Sequence, residues 1–505
     1  MILNSLDIMG QAPTFSDIDP KVRIMSMIGL ALGMMIACMD GTIVGTCGMT
    51  IAQDLGDQEL YSWMITAYLL SETGMVPIAG KMSDRYGRKP LFIAGLLLFI
   101  GGSVVAGLST NMTMLIVCRA VQGMGGGILM PVAMAAVADF YAPEDRGKMQ
   151  GMLGAVFGIG SGIGPLVGGF ICSYFSWHWV FYINVPLAAI CFILTMKKFP
   201  SMDTGALKRI DYIGMVVLTA LILDILLFFQ QLGEEVSITE VKMILMIVAA
   251  LILTAVFIKV ELRAEDPIIA PKLVHKKIVV LGAIYLFILG FAMIGSLTYI
   301  AVYIVSVYNY DSLKCGFAML PMVFGMMITS MGSGMMVRRT GYRIWIIVGS
   351  VIIVGSLLLM STMGSTEDIM KLYIYTFLFG MGLGFTVSTV MIAVQNCTPS
   401  DEMGMTTSAV TAMRNIGSTV GTAIFALIIS TSMNDKFAAT PFGYLAEQYG
   451  LSGMGLFDLL REYPYIAGEL VRILAESVCA AFLFAGLFYL IALAVSFFIN
   501  DRSEA

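Results

Sequence analysis

Charge is what this sequence has least of. Only 12% of its 505 residues are charged, about half the roughly 25% of an ordinary soluble domain, too little polar surface to cover one water-soluble core. Histidine is nearly missing: His178 and His275 are the only two and lie far apart, so no metal site is expected. None of the eight cysteines forms a Cys-x-x-Cys pair. Cys38, Cys47, Cys118, Cys172, Cys191, Cys315, Cys397 and Cys479 all lie in or beside apolar runs, and they are expected as packing residues rather than a disulfide or metal framework. There is no basic tail or patch and the net charge is −5, so nucleic acid is not an expected partner. Residues 1–20 lack a basic stretch, so the first apolar run is expected to be a retained span rather than a cleaved signal. No nucleophile–base pair or phosphate-binding loop stands out, so the chain is not expected to be an enzyme and no cofactor is implied.

Apolar residues make up 58% of the chain, and the mean hydropathy is +0.89. They fall in runs, and about 20 apolar residues suffice to cross a hydrocarbon layer of roughly 30 Å. Fourteen such runs occur, at about 24–53, 61–80, 91–110, 112–138, 149–176, 178–196, 211–232, 240–258, 278–308, 315–337, 344–364, 372–398, 405–432 and 475–499. Inside a bilayer each must satisfy its own backbone as a helix or join a closed barrel. The runs are too long for barrel strands and do not alternate. The expected fold class is therefore an all-α membrane protein with 14 transmembrane helices.

Lysine and arginine set the orientation. With the N-terminus placed in the cytoplasm, 21 of the 29 basic residues fall inside, six outside, and two (Arg119 and Arg414) within spans. Both termini are expected in the cytoplasm, with the chain multi-pass in the cell membrane.

The chain also repeats itself at about 255 residues. Gly80-Lys-Met-Ser-Asp84-Arg85-Tyr-Gly87-Arg88-Lys89 has a worn copy in Gly334-Met-Met-Val-Arg-Arg-Thr-Gly341-Tyr-Arg343. Gly123-Met-Gly-Gly-Gly127 is matched by Gly380-Met-Gly-Leu-Gly384, Gly147 by Gly404, and Ser161-Gly-Ile-Gly164 by Ser418-Thr-Val-Gly421. Parallel repeats of this kind place a substrate cavity at their interface near the bilayer midplane. The expected division is a cytoplasmic N-terminus (1–23), a six-helix half (24–199), a linker with two extra transmembrane helices (200–275), a second six-helix half (276–499) and a cytoplasmic C-terminus (500–505). Within the second half, residues 433–473 do not read as a span. Leu456, Leu459, Leu460 and Tyr463 form a stripe at helical spacing, which suggests a short helix lying on the outer membrane surface.

Three groups of residues carry mechanism. In the Gly80–Lys89 loop, Gly80 and Gly87 permit a tight turn, while Asp84, Arg85, Arg88 and Lys89 can cap helix ends and pair with neighbouring charges. Pairs that form in one conformation and break in another make a gate latch. Gly160, Gly164 and Gly168 clear one helix face for close approach, and Pro165 weakens the backbone ladder enough for a bend or hinge. Finally, Asp40, Glu72 and Asp224 are carboxylates within spans, where a charge costs about 2.5–3.5 kcal/mol on insertion scales. A carboxylate that alternates between a dry and a wet or cation-paired setting can take up and release a proton, and when ionised it can bind a cationic substrate. Asp40 is the leading candidate and Glu72 the second. Asp224 is expected on helices packed outside the two halves, with a structural hydrogen bond.

The Gly80–Lys89 loop resembles the signature loop of the major facilitator superfamily. Within that superfamily the chain resembles the fourteen-span drug:proton antiporters, which include quaternary-ammonium, tetracycline and lincosamide exporters. Asp40-Gly-Thr-Ile-Val44 resembles their Asp-x-Thr-Ile-Val stretch, and Arg119-Ala-Val-Gln122-Gly123 their intramembrane arginine motif. Gly160-Ser-Gly-Ile-Gly164-Pro165-Leu-Val-Gly168-Gly169 resembles the antiporter glycine–proline motif. Trp179-Val-Phe-Tyr-Ile-Asn184-Val-Pro186, Gln395 and Arg414-Asn-Ile-Gly417 also fit. Gly45, Met49 and His178 depart from the pattern, standing where Asn, Pro and Arg are usual.

The resemblance implies a proton-handling role for Arg119 with Gln122, pairing of Asp139 with Arg88 as the latch partner, and a structural role for Arg414. It implies a proton-coupled antiporter that exports small amphipathic molecules, cationic ones among them. The expected partners are such a substrate, protons and the lipid bilayer; the chain is expected to act as a monomer, with the proton gradient as energy source. Two other readings stand beside it: a dedicated exporter or flippase of one metabolite, siderophore or lipid precursor, and a non-transporting membrane sensor or scaffold.

Overall fold

The computed structural model describes residues 19–56, 60–199, 211–233, 239–264, 267–268, 276–365, 368–399 and 402–499. Residues 1–18 of the expected N-terminal segment 1–23, the expected C-terminal segment 500–505 and residues 200–210, 265–266 and 269–275 of the expected linker lie outside the described residues. Among those described there is no strand. Fourteen long helices follow one another: α1 (Pro20–Leu55), α2 (Tyr61–Tyr86), α3 (Arg88–Ala106), α4 (Met112–Phe140), α5 (Pro143–Tyr174), α6 (Asn184–Lys198) and α7 (Tyr212–Gly233). The second series is α8 (Val241–Glu261), α9 (Lys277–Tyr308), α10 (Ser312–Thr340), α11 (Arg343–Met360), α12 (Ile369–Asn396), α13 (Met403–Ala438) and α14 (Ala467–Ser496).

Thirteen of the described helices are apolar and long enough to cross a membrane, the turn Trp179–Tyr182 being counted with α6. The remaining long helix, α2, has 26 residues, or about 39 Å at 1.5 Å per residue. Ser71, Glu72, Thr73, Lys81, Ser83, Asp84 and Arg85 make it the most polar of the series, and it compensates by packing against α4 and α13. The outer faces of the bundle are apolar throughout: Leu97, Val117, Ile190, Val216, Leu251, Val351 and Leu487 are all exposed, a surface suited to hydrocarbon.

Local chemistry explains where these helices begin and turn. The side chains of Asp19, Asn111, Asp311 and Asp368 accept from backbone N–H groups in the first turns of α1, α4, α10 and α12, at 2.8, 2.8, 2.8 and 3.0 Å, meeting donors the helix itself leaves orphaned. The α2–α3 and α10–α11 turns each pivot on one glycine of positive φ, Gly87 at 90° and Gly341 at 80°, where a side chain would clash. These two glycines are partners in the sequence repeat. The end of the bundle that holds both turns is called here the basic end.

Packing repeats as the sequence does. In the first series α1 lies on α5 and α6, while α4 lies on α2 and α3; in the second α9 lies on α13 and α14, while α12 lies on α10 and α11. The series meet along α5 with α10 and α12, and along α13 with α2 and α4. Close contacts join repeat partners crosswise: a Cβ on Gly80 would lie 2.6 Å from the Gly404 carbonyl, and one on Gly147 2.5 Å from that of Gly334. α7 packs on α2 and α13, with the Thr219 hydroxyl donating to the Gly74 carbonyl at 3.4 Å. α8 leans chiefly on α7 and is the least buried span.

Two features differ from what the sequence suggested. Cys47 and Cys172 are not simple packing residues: they form a disulfide, with Cα atoms 6.0 Å apart, within the usual range for such bridges. α1 and α5 run side by side and bring these residues together near the end opposite the basic one. Their separation of 125 positions in sequence hides that proximity. The 433–473 stripe, in turn, packs on protein instead of presenting a free apolar face. Residues Gly453–Arg461 form a 3-10 turn whose Leu456 and Leu459 are buried in the main core against α13 and α14. The Gly453 N–H is tied to the Asn434 side chain at 2.7 Å. The apolar stripe had a protein surface to cover, and the helix ends offered it.

Thiol labelling of the unfolded protein without reductant should modify the six free cysteines (Cys38, Cys118, Cys191, Cys315, Cys397 and Cys479), and all eight after reduction. Labelling of Cys47 and Cys172 before reduction would contradict the pairing.

Candidate functional site

Arg119 and Gln122 sit three residues apart on α4, hence on one face of that helix. Both reach Asp40 on α1. The Arg119 Nη1 donates to Asp40 Oδ2 at 2.5 Å and to Gln122 Oε1 at 2.7 Å, and Gln122 Nε2 donates to Asp40 Oδ1 at 2.8 Å. Asn184, first residue of α6, donates from Nδ2 to Asp40 Oδ1 at 2.7 Å. Ser103 of α3 accepts from Gln122 and Asn184 at 3.2 and 3.1 Å and donates to the Phe181 carbonyl at 2.9 Å. Arg119 also lies over the Tyr68 ring, 4.2 Å from its centroid. All five network residues are buried, Asp40 and Gln122 completely.

Four helices thus converge on one carboxylate and one guanidinium. Burying that pair is costly, and their attraction offsets the cost only because neighbouring dipoles complete the hydrogen bonding. Arg119 Nε and Asn184 Oδ1 are buried without a hydrogen-bond partner among the described residues, so the cluster retains hydrogen-bonding capacity.

Glu72 is not part of this cluster. It lies on α2, partly exposed, within electrostatic reach of Arg414, Arg119 and Asp40. Asp224 is farther off, facing an open groove of about 520 Å³ between α7 and α8, lined also by Val241, Lys242, Leu245, Met246 and Ala249. The structural hydrogen bond expected of Asp224 is absent among the described residues: its Oδ2 has no partner.

At the basic end a second cluster joins the two series. Asp84 Oδ1 and Oδ2 accept from the backbone N–H groups of Gly404 and Met405, at 2.8 and 2.6 Å, so a carboxylate of α2 caps the positive end of α13. Arg88 ion-pairs with Asp84 at 2.6 Å and with Asp139 of α4 at 2.7 Å, and donates to Ser83 at 2.5 Å. Lys89 donates to the Met196 carbonyl at 3.0 Å, while Arg85 lies beside the Tyr86 ring, outside this knot. Gly80 and Gly87 shape the turn around it.

The repeat-related corner is held differently. Arg338 stands at the position matching Asp84, so no acid is available there to cap a helix. Gln150 of α5 donates instead to Gln395 Oε1 of α12 at 2.8 Å, Arg146 reaches the Gln395 carbonyl at 3.4 Å, and Ser330 of α10 donates to the Gly151 carbonyl at 2.9 Å.

The glycine face of α5 is packed on α1. A Cβ on Gly160, Gly164 or Gly168 would press on the carbonyls of Met35, Met39 and Ile43, at 2.9, 2.8 and 2.6 Å. Gly169 is buried, and α5 runs unbroken through Pro165. This face therefore holds α1 and Asp40 in register with α5.

Sequence reasoning did not single out Ser103, Gln150 or Arg146, and quoted Asn184 and Gln395 without assigning them a place. Serine and asparagine inside apolar runs give little signal, since they usually satisfy their own helix. Among the described residues no group of three or more His, Cys, Asp or Glu is placed to hold a metal.

A polytopic helical bundle of two like-packed series, with buried charges inside and a charged knot at one end, has the architecture of a membrane transporter. The sequence model of the Major Facilitator Superfamily matches residues 30–422, and the chain belongs to that family. It is similar to Multidrug resistance protein 3 of Bacillus subtilis, with 34% identity over 419 residues covering 82% of this chain and 81% of that protein. It is also similar to the multidrug transporter protein MdtP of the same organism, with 32% identity over 408 residues covering 81% and 75%. Among solved structures, the human organic anion transporter MFSD10 (TETRAN) has the same fold, with a TM-score of 0.66 and 14% identity, covering 95% of this chain and 100% of that one.

Arg119→Met alone should lower the stability of the solubilised protein by about 3–5 kcal/mol, because it strands Asp40 as a buried charge. Adding Asp40→Asn should restore much of the loss, and thermal unfolding in detergent reads both. Equal stability of the single variant and the parent would contradict the pairing.

Proposed function

We propose that this transporter exports small amphipathic molecules, cationic ones among them, in exchange for protons by alternating access. The observation that carries the proposal is the Asp40–Arg119 cluster, a carboxylate fully buried in a membrane-spanning interior and balanced by a single guanidinium. A proton on Asp40 would release Arg119 and unbalance the cluster, whereas loss of that proton would restore the pair. Protonation can therefore act on the packing of α1, α3, α4 and α6 together. Glu72, nearer the second series, is the proposed meeting point of substrate and proton.

The charge bias supports placing the basic end in the cytoplasm, with the chain in the cell membrane. In that orientation the conformation described is the one sealed on the cytoplasmic side, with Asp84 on α13 as the latch. Opening inward would break two backbone hydrogen bonds to a carboxylate and separate Gln150 from Gln395, and substrate binding would have to supply that difference. The names of the two Bacillus relatives support drugs as cargo, and the word resistance in one of them supports export over import.

In proteoliposomes carrying the purified chain, adding a lipophilic cation should drive measurable proton movement, read by an internal pH dye. Asp40→Asn should abolish that movement, and Glu72→Gln should reduce it at least about tenfold if it removes a charge-assisted contact. Proton-coupled transport at the parent rate by Asp40→Asn would overturn the site assignment. Transport insensitive to a pH gradient would overturn the coupling.

A further inference from the structure

Arg414 belongs neither to the Asp40 cluster nor to the latch. It is the twelfth residue of α13, about 17 Å along the helix from its basic end, and only 3% exposed. Its side chain crosses from the second series into the first. Nη2 meets the Met130 sulfur of α4 at 3.0 Å, and the guanidinium lies 5.2 Å from the Phe157 ring centroid of α5. Its charge also acts on Cys38 of α1 and Glu72 of α2. A thioether is a weak acceptor, and a ring face attracts a cation only modestly. Neither balances a buried positive charge.

Among the described residues Arg414 makes no ion pair with a carboxylate, and Glu72 makes neither an ion pair nor a hydrogen bond. Glu72, Cys38 and Phe157 are each partly exposed although helices surround them on several sides. They sit on α1, α2 and α5, and each lies within reach of Arg414 of α13, which puts them where the two series meet. Glu72 and Arg414 thus act on each other electrostatically without an ion pair, one charge of each sign in the same part of the interior.

We infer that Glu72 and Arg414 are the two poles of a substrate site for zwitterionic amphipathic molecules, Glu72 receiving the cationic group and Arg414 a carboxylate. This rests on the export reading above and narrows it. A zwitterion compensates both poles at once. A monocation compensates Glu72 alone and leaves the guanidinium without a counter-anion. Guanidinium and carboxylate form directional, charge-assisted hydrogen bonds in a water-poor setting, so the site should prefer the acid to its ester.

Rhodamine 110 and its methyl ester, rhodamine 123, are a matched zwitterion and monocation. Two measurements on the full chain in proteoliposomes test the inference. In the first, each dye is asked to protect Cys38 from a maleimide, read by peptide mass spectrometry, which needs no transport. Rhodamine 110 should protect at a concentration at least about tenfold lower than rhodamine 123, the scale of one charge-assisted hydrogen bond. In the second, the ratio of the two KM values for transport should move toward the ester by a similar factor in Arg414→Gln, and be largely restored in Arg414→Lys. Equal protection by both dyes, better protection by the ester, or a KM ratio unmoved by Arg414→Gln would overturn the inference. If Arg414→Gln fails to fold, the protection ratio in the parent protein still decides. Differential protection without any dye efflux would sink the export proposal and leave this site standing.

Discussion

The interior of this protein is organised around a charge that water cannot reach. Asp40 has no exposed surface, and a lone carboxylate in such a place would cost several kcal/mol. Arg119 answers its charge, while Gln122, Asn184 and, through them, Ser103 answer its remaining hydrogen-bonding needs. Satisfying one carboxylate therefore fixes the relative positions of four helices. The packing of α1 on α5 follows, since the glycine face of α5 is what lets the backbone carrying Asp40 come close enough. A small chemical change at this one side chain has consequences for the whole first series.

The two series are alike in packing but unlike in how their corners are tied at the basic end. Gly80 meets Gly404 and Gly147 meets Gly334, and these contacts are related by the internal repeat. Only the first corner carries a carboxylate capping a helix start; the second relies on amide and hydroxyl hydrogen bonds. Charge-assisted bonds are stronger and more directional than neutral ones. The two corners are therefore tied asymmetrically, and the worn copy of the loop, with Arg338 where its counterpart has Asp84, is the sequence record of that asymmetry.

The inserted pair α7 and α8 adds a second asymmetry. α7 lies against α2 and α13, beside the corner with the charged knot, and among the described residues no helix covers α5 and α10 comparably. Asp224 looks onto the groove between α7 and α8 and stands apart from the Asp40 cluster. A buried carboxylate and a groove-facing one look identical as isolated acids in apolar runs, yet their surroundings give them different chemistry.

Much was legible in the sequence because the bilayer permits so few solutions. Long uncharged runs must be helices, since no other single segment satisfies its own backbone in hydrocarbon, and the glycine of each sharp turn had to be a glycine. Asp40, Arg119 and the Gly80–Lys89 loop stood out because charge inside or beside an apolar run is expensive and therefore rare. What the sequence left open was pairing. Cys47 and Cys172 lie 125 residues apart, Asp40 and Asn184 lie 144, and Gln150 and Gln395 lie 245. No local pattern encodes such distances, and neutral polar residues in apolar runs usually bond to their own helix. The sequence alone established the helices, the repeat and which charges needed an answer. Only the tertiary structure decided which side chains answer them and which, like Arg414, have no carboxylate in direct contact among the described residues, because a partner is set by how helices pack and not by where residues fall along the chain.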